Sequence, residues 1–142
     1  MGLGVDRRRD PVDRRLTVLL DTHFILWIAA HSHRLKSYRW LERYRPWTVS
    51  PVSFLEIQFL VEVGRVEVSV DELTRLASSD PRFLVDEVPL KALIDQAMRL
   101  GWTRDPFDRL LAGHSLARQL PFCSVDSTIQ AHHPRLPPEL TQ

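Results

Sequence analysis

Four short apolar segments, separated by segments with helical spacing, constrain the fold of this chain most strongly. The predicted strands lie at 16–20, 47–50, 82–88 and 121–125. Short, partly β-branched apolar runs are typical of strands that are covered on both faces. Strands that alternate with helices usually pair in parallel, with helices on both faces of the sheet. The pattern therefore predicts an α/β fold with three layers, α/β/α, around a central, mostly parallel sheet.

The segments between the strands carry the residues that begin and end helices. Pro51 suits a first helical turn, whereas Gly64 and Gly101 stand where helices should stop. A weaker helical signal surrounds Leu73 and Leu76. The other predicted helices cover 22–30, 35–44, 51–63, 90–100, 105–118 and a short segment that begins at Asp126.

The length of 142 residues suits one domain. We expect that domain to cover 16–133, after a mobile basic arm at 1–15 and before an irregular, Pro-rich tail at 134–142. The apolar run at 16–20 is too short for a secretory signal or a membrane span. The sequence therefore predicts a protein that does not associate with a membrane.

Net charge and cysteine content bear on the binding partners and the cellular location of the protein. The 19 Lys and Arg residues nearly balance the 18 Asp and Glu residues, so net charge alone indicates no polyanionic partner. The single cysteine, Cys123, cannot form an internal disulfide. We expect a reducing, cytoplasmic location, with Cys123 packed in the core rather than acting as a nucleophile.

Acidic residues stand at the predicted carboxyl edge of the sheet. Asp21 and Asp126 directly follow strands, whereas Glu56 lies in the second turn and Asp108 in the first turn of a predicted helix. In open α/β sheets the functional crevice lies at this edge. Crowded carboxylates repel one another unless a cation neutralises them, and oxygen ligands without cysteine favour Mg²⁺ or Mn²⁺. The spacing therefore predicts a divalent metal site.

Helix capping offers a simpler explanation for part of this set. Asp105 before Pro106 is a good N-cap, and Asp108 and Asp126 also suit positions near helix starts. Glu56 can equally be a solvated surface residue. Because Asp105 already has a structural role and Asp108 lies one turn further in, Asp108 is the stronger metal candidate.

Three blocks of sequence resemble the VapC-type branch of the PIN-domain family. They are LLDTHFILW at 19–27, SPVSFLEI at 50–57 and DPFDRLLAGHSLARQLPFCSVDSTI at 105–129, within a match from about 16 to 133. The resemblance implies a PIN-like fold and a toxin of a type II toxin–antitoxin pair that cleaves RNA with Mg²⁺ or Mn²⁺. It also implies a homodimer that is inhibited by a VapB-like antitoxin.

The resemblance implies specific roles for the acidic set. The catalytic and metal-binding residues it implies are Asp21, Glu56, Asp108 and Asp126, with Asp105 beside them as a further metal ligand. Thr22 and Ser53 are expected to hold these carboxylates from behind, and Arg104 and Arg109 to contact RNA phosphates, although local caps and solvated charges explain such residues equally well.

Two histidines and three apolar residues have other expected roles, and two other classes of protein could share this pattern. His23 and His114 lack a paired ligand at metal spacing, so both are expected to pack along apolar helix faces. Phe24, Trp27 and Ile28 are expected to expose an apolar surface for the second copy or the antitoxin. The alternatives are a receiver-like, Mg²⁺-binding phosphoacceptor domain and a catalytically silent PIN scaffold that only binds proteins.

Overall fold

The computed structural model describes residues 17–141. The basic arm predicted at 1–15 lies outside the described residues, so its mobility stays a prediction. Within 17–141, no helix has both the length and the apolar character needed to cross a membrane.

A four-stranded sheet forms the centre of the described chain. Its strands are β1 (Leu19–Leu20), β2 (Trp47–Val49), β3 (Phe83–Val85) and β4 (Phe122–Cys123). They lie in the order β3-β2-β1-β4 and all pair in parallel. This confirms the predicted α/β fold, and it places β1 between its neighbours at the centre of the sheet.

Helices connect the strands and cover the sheet. They are α1 (Thr22–Ala29), α2 (Pro51–Glu62), α3 (Val70–Ser79), α4 (Leu90–Ala97), α5 (Pro106–Arg118) and α6 (Ser127–His132), together with 3₁₀ segments at His33–Tyr44 and Pro138–Leu140. Four helices begin after a polar N-cap residue, which is Asp21 for α1, Ser50 for α2, Asp105 for α5 and Asp126 for α6. Polar caps thus begin the helices at the carboxyl edge of the sheet.

Several elements are shorter or tighter than the sequence pattern predicts. The strands have only two or three paired residues each. The segment predicted as a helix at 35–44 is a 3₁₀ segment from His33 to Tyr44, with non-helical dihedral angles at Tyr38. Apolar runs record burial, which extends beyond the residues that share ladder hydrogen bonds, so run length overestimates strand length.

Two apolar clusters pack around the sheet. One contains the side chains of Val18, Leu20, Phe24, Ile57 and Trp47 together with neighbours from the 3₁₀ segment and α3. The other lies between β1, α5 and α6 and includes Leu19, Leu111, Phe122 and Ile129. Alternate residues of β1 thus face opposite sides of the sheet, as expected for a strand that is covered on both faces.

The segment after α6 contacts the body of the fold. The backbone N–H of Phe122 donates to the carbonyl oxygen of Arg135 at 2.8 Å. Tyr44 donates through its hydroxyl to Glu139 at 2.9 Å, and Arg43 pairs with the same carboxylate. The tail predicted to be irregular therefore holds one 3₁₀ turn, at Pro138–Leu140, and is tied to the sheet and to the 3₁₀ segment.

Candidate active site

Asp21 lies at the carboxyl end of the central strand and is almost completely buried, with 4% of its surface exposed. Its carboxylate accepts hydrogen bonds from the Thr22 backbone N–H at 2.7 Å and from the Ser124 hydroxyl at 2.6 Å. Its own N–H donates to the Cys123 carbonyl oxygen at 2.9 Å. The backbone and the side chain of Asp21 are therefore both held by residues at the end of β4, which are distant in the sequence.

Thr22 links the first helix to Glu56. The Thr22 hydroxyl donates to Oε1 of Glu56 at 2.5 Å and lies 3.1 Å from Oγ of Ser53. Thr22 and Ser53 are both fully buried, whereas Glu56 is partly exposed. Thr22 therefore holds one carboxylate oxygen of Glu56 directly, whereas Ser53 reaches this carboxylate only through the Thr22 hydroxyl.

Ser124 joins Asp21 to Asp126. Besides donating to Asp21, the Ser124 hydroxyl oxygen accepts from the backbone N–H of Asp126 at 3.1 Å. The Asp126 side chain in turn accepts from the Ile129 N–H at 3.0 Å and caps α6. Sequence reasoning missed Ser124, although a serine two positions before an acidic residue at a strand end was the available signal.

Asp105 and Asp108 stand at the start of α5. The Asp105 carboxylate accepts from the backbone N–H groups of Phe107 and Asp108, so Asp105 does cap the helix, as the structural alternative predicts. Asp105 is exposed and Asp108 is partly buried. The capping bond brings the two carboxylates into one helical turn.

Electrostatic coupling joins the five carboxylates of Asp21, Glu56, Asp105, Asp108 and Asp126, here called the acidic cluster. Burial raises the pKa of Asp108, and the other four carboxylates raise it further, to about 7. Burial also raises the pKa of Asp21 and of Glu56, with smaller contributions from neighbouring carboxylates. Each of the other four carboxylates therefore lies near enough to Asp108 to affect its pKa.

The acidic cluster offers the ligand atoms that a hard divalent cation binds. All of its possible ligand atoms are carboxylate oxygens, which hard cations prefer. Repulsion among the carboxylates contributes to the raised pKa of Asp108, and a bound cation would relieve this repulsion. Among residues 17–141, no three His, Cys, Asp or Glu side chains are close enough together to enclose a metal ion. Mg²⁺ usually keeps several waters and binds only one or two carboxylates, so the donor set fits this cation without such an enclosure.

The predicted RNA-contacting arginines differ in their surroundings. Arg109 donates from Nε to the carbonyl oxygen of Ala97 at 2.9 Å and from Nη2 to that of Met98 at 3.2 Å. Arg109 therefore binds carbonyl groups at the end of α4, and its contact with RNA stays a prediction. Arg104 is exposed, and its contact with RNA stays a prediction.

The two histidines also differ from each other. His114 is fully buried, as predicted. His23 is exposed, so the prediction that it packs on an apolar face is wrong. It lies near enough to the acidic cluster to lower the pKa of Asp21 and of Glu56 slightly. Because most residues of α1 are apolar, the sequence pattern does not indicate that position 23 faces solvent.

The exposed apolar surface is not where the sequence predicts it. Phe24 and Ile28 are buried, and Trp27 packs against Phe24 with ring centroids 5.2 Å apart. Instead, two helices expose large apolar residues at i, i+4, i+8 spacing: α2 and its C-cap expose Leu55, Phe59 and Val63, and α4 and its C-cap expose Leu90, Ile94 and Met98. A continuous apolar stripe on a surface helix is typical of protein interfaces.

An open cavity of about 570 Å³ lies apart from the acidic cluster. Thr17, Thr48 and Leu84 line it along the sheet, and the paired side chains of Asp86 and Arg118 line its edge. None of the five carboxylates of the acidic cluster contributes to it. This cavity and the acidic cluster are therefore lined by different residues.

The fold and the acidic cluster together define a three-layer α/β protein with carboxylates gathered at the carboxyl edge of a parallel sheet. The chain belongs to the PIN domain family, whose sequence model matches residues 18–132. It is also similar to Ribonuclease VapC22 of Mycobacterium tuberculosis, with 27% identity over 123 residues that cover 84% of this chain and 95% of that protein. These findings confirm the resemblance to PIN-domain proteins of the VapC type.

Proposed function

We propose that the protein is a metal-dependent endoribonuclease and the toxin of a type II toxin–antitoxin pair. The observation that carries the proposal is the set of carboxylates around Asp108: burial raises the pKa of Asp108 most, and the other four carboxylates add to the rise, to about 7. Similarity to a protein named as a ribonuclease supports RNA as the substrate. Family membership removes the reason for the receiver-like alternative.

The residues of the acidic cluster would hold Mg²⁺ or Mn²⁺. A divalent cation, when bound, supplies positive charge to the phosphate oxygens and lowers the pKa of the attacking water. Ser124 and the Thr22 N–H hold the Asp21 carboxylate, while the Thr22 hydroxyl holds that of Glu56. These bonds fix the carboxylate oxygens before substrate arrives, which reduces the reorganisation that catalysis requires. No side-chain nucleophile is needed.

The same proposal includes protein partners. We assign the exposed stripe of Leu55, Phe59 and Val63 on α2 to contacts with a second copy of the chain or with a VapB-like antitoxin. Apolar side chains on a surface helix lose contact with water when another protein covers them, which favours association. A homodimer in the cytoplasm is the expected state.

A catalytically silent PIN scaffold is the remaining alternative. It would keep the fold and the apolar stripe but would not need repelling carboxylates. All five acidic positions are filled, and buried hydrogen bonds orient two of the carboxylates, which favours the enzyme.

Cleavage of total RNA by the purified protein tests the proposal. We expect cleavage with Mg²⁺ or Mn²⁺, none with EDTA, and a loss of at least about a hundredfold in the Asp21→Asn variant, because metal chemistry carries most of the rate. Asp95→Asn is the matched control, since Asp95 lies on α4 and pairs with Lys91 at the surface. Activity that survives chelation or the Asp21→Asn substitution would reject the mechanism.

A further inference from the structure

We propose that His114 is a positioning residue for the acidic cluster, because it joins the start of α2 to α5, the two helices that carry Glu56 and Asp108. The inference rests on the proposed function and identifies a residue outside the carboxylate set. Nothing in the family resemblance assigns a role to this histidine.

His114 is fully buried, and both of its ring nitrogens have partners. Nδ1 lies 2.8 Å from the hydroxyl oxygen of Ser50, and Nε2 lies 2.8 Å from Oδ2 of Asp86. Asp86 also accepts from Nε of Arg118 at 2.8 Å and from Nη2 at 2.9 Å. The four side chains form one chain of hydrogen bonds, here called the Ser50–Arg118 network.

The donors and acceptors of the network can be assigned. His114 and Arg118 lower the pKa of Asp86 to about 2 against the effect of burial, so Asp86 is ionised at neutral pH and only accepts. Nε2 of His114 must therefore carry a proton. The Ser50 hydroxyl oxygen accepts from the Val52 N–H at 3.2 Å and is also the hydrogen-bond partner of Nδ1 of His114. Both ring nitrogens of the buried His114 are then satisfied, which favours a single arrangement.

The network acts on the start of α2. Ser50 is the N-cap of that helix, and Ser53 and Glu56 follow within its first two turns. Six residues correspond to about 9 Å along a helix axis, so a change in direction at Ser50 moves the Glu56 carboxylate. His114 thereby fixes the direction in which α2 leaves the sheet.

The network also fixes α5. His114 lies six residues after Asp108 on this helix, and Arg118 lies one turn further on. A Cβ atom at Gly113 would lie 2.9 Å from the carbonyl oxygen of Leu93, so α5 is already in close contact with α4 on that side. With α5 confined in this way, the bond from His114 to Ser50 sets the separation of the two helices.

The sequence of Ser50, His114 and Asp86 has the contacts of a hydrolase triad but cannot act as one. Ser50 has no exposed surface, and its hydroxyl oxygen caps α2. A substrate carbonyl therefore cannot reach it. The same burial that excludes nucleophilic catalysis makes the network suitable for holding two helices together.

Direct binding of Mn²⁺, measured from the electron paramagnetic resonance signal of the free ion, tests the inference. We expect His114→Leu to weaken Mn²⁺ binding about tenfold and to lower kcat about tenfold, with a smaller change in KM, as for residues that orient ligating groups. His114→Gln, which keeps a polar group at the position, should restore part of both losses. Leu73→Ala is the control, because Leu73 is a buried residue of α3 whose removal lowers stability without contact with the network.

The outcomes separate the inference from the proposed function. Equal Mn²⁺ binding by the wild-type protein and His114→Leu would overturn the inference alone, and so would equal losses in His114→Leu and Leu73→Ala. Absence of Mn²⁺ binding to the wild-type protein would overturn both. If His114→Leu does not fold, Asp86→Asn replaces it, since it removes the charge from the same network while keeping the shape of the side chain.

Discussion

Ser124 donates its hydroxyl proton to Asp21 at 2.6 Å, although 103 positions separate the two residues in the sequence. The bond joins the end of the central strand to the end of β4. It also gives Asp21 a defined orientation in a site where burial alone would favour its protonated form. The acidic cluster therefore depends on a residue that carries no charge.

Ser124→Ala should lower the rate of RNA cleavage by about tenfold to a hundredfold, because it removes the group that orients a proposed metal ligand. Loss of a buried hydrogen bond should also cost about 1–3 kcal/mol of stability. Single-turnover cleavage and thermal unfolding measure the two effects. Ser127→Ala, at an exposed position of α6, is the control. Equal rates for the two variants would contradict the role of Ser124.

The metal-free protein should lose stability as the pH rises from about 4 to about 7. Asp108 binds its proton more tightly in the folded protein, where its pKa is about 7, than in the unfolded chain, where it is about 3.9. The stabilisation is complete below the lower value and disappears through the upper one. Asp108→Asn should flatten this dependence.

Thermal unfolding in EDTA at about pH 5 and about pH 8 measures this dependence. Addition of Mg²⁺ at the higher pH should restore stability to the wild-type protein, because a cation neutralises the repelling carboxylates. Parallel pH profiles for the wild-type protein and Asp108→Asn would show that Asp108 does not carry the effect.

Gly113→Ala should destabilise the fold by about 1–3 kcal/mol, as expected for overpacking. The new Cβ would lie 2.9 Å from the Leu93 carbonyl oxygen and 3.0 Å from the Ala97 nitrogen, both of which belong to the backbone of α4. Gly101→Ala is the control, since no atom lies within 4 Å of a Cβ built there. Chemical denaturation should separate the variants, and equal stabilities would contradict the close contact of α4 and α5.

Val63→Glu should weaken self-association, because it places a charge in the exposed apolar stripe of α2. Light scattering coupled to size-exclusion chromatography over a range of concentrations measures the effect. Leu90→Glu makes the same change at an exposed apolar residue of α4. Loss of the dimer in Leu90→Glu but not in Val63→Glu would place the interface on α4 and contradict its assignment to α2.

The sequence predicts the sheet and the position of the carboxylates because both follow from local patterns. Asp21 and Asp126 directly follow apolar runs, and a parallel sheet brings the ends of such runs to one edge. The roles of these residues in catalysis stay predictions. Helix capping was also recognisable, because Asp105 precedes Pro106.

Side-chain partners far apart in the sequence could not be predicted. Asp86 meets His114 and Arg118 only after β3 and α5 pack together, and nothing near Asp86 in the sequence indicates this. The hydrogen bond from Arg109 to the Ala97 carbonyl oxygen at the end of α4 was equally invisible in the sequence. Local sequence records which groups are polar but not which partner satisfies each one.

The parallel pairing of β1 with β4 has a consequence for synthesis of the protein. Among the strands of residues 17–141, the first to be synthesised, β1, pairs with the last, β4, so Asp21 lacks these partners until Cys123 and Ser124 have been translated. A chain that stops before β4 carries most of the acidic side chains without the framework that gathers them. If the proposed function holds, translation products that stop before β4 should therefore be inert towards RNA.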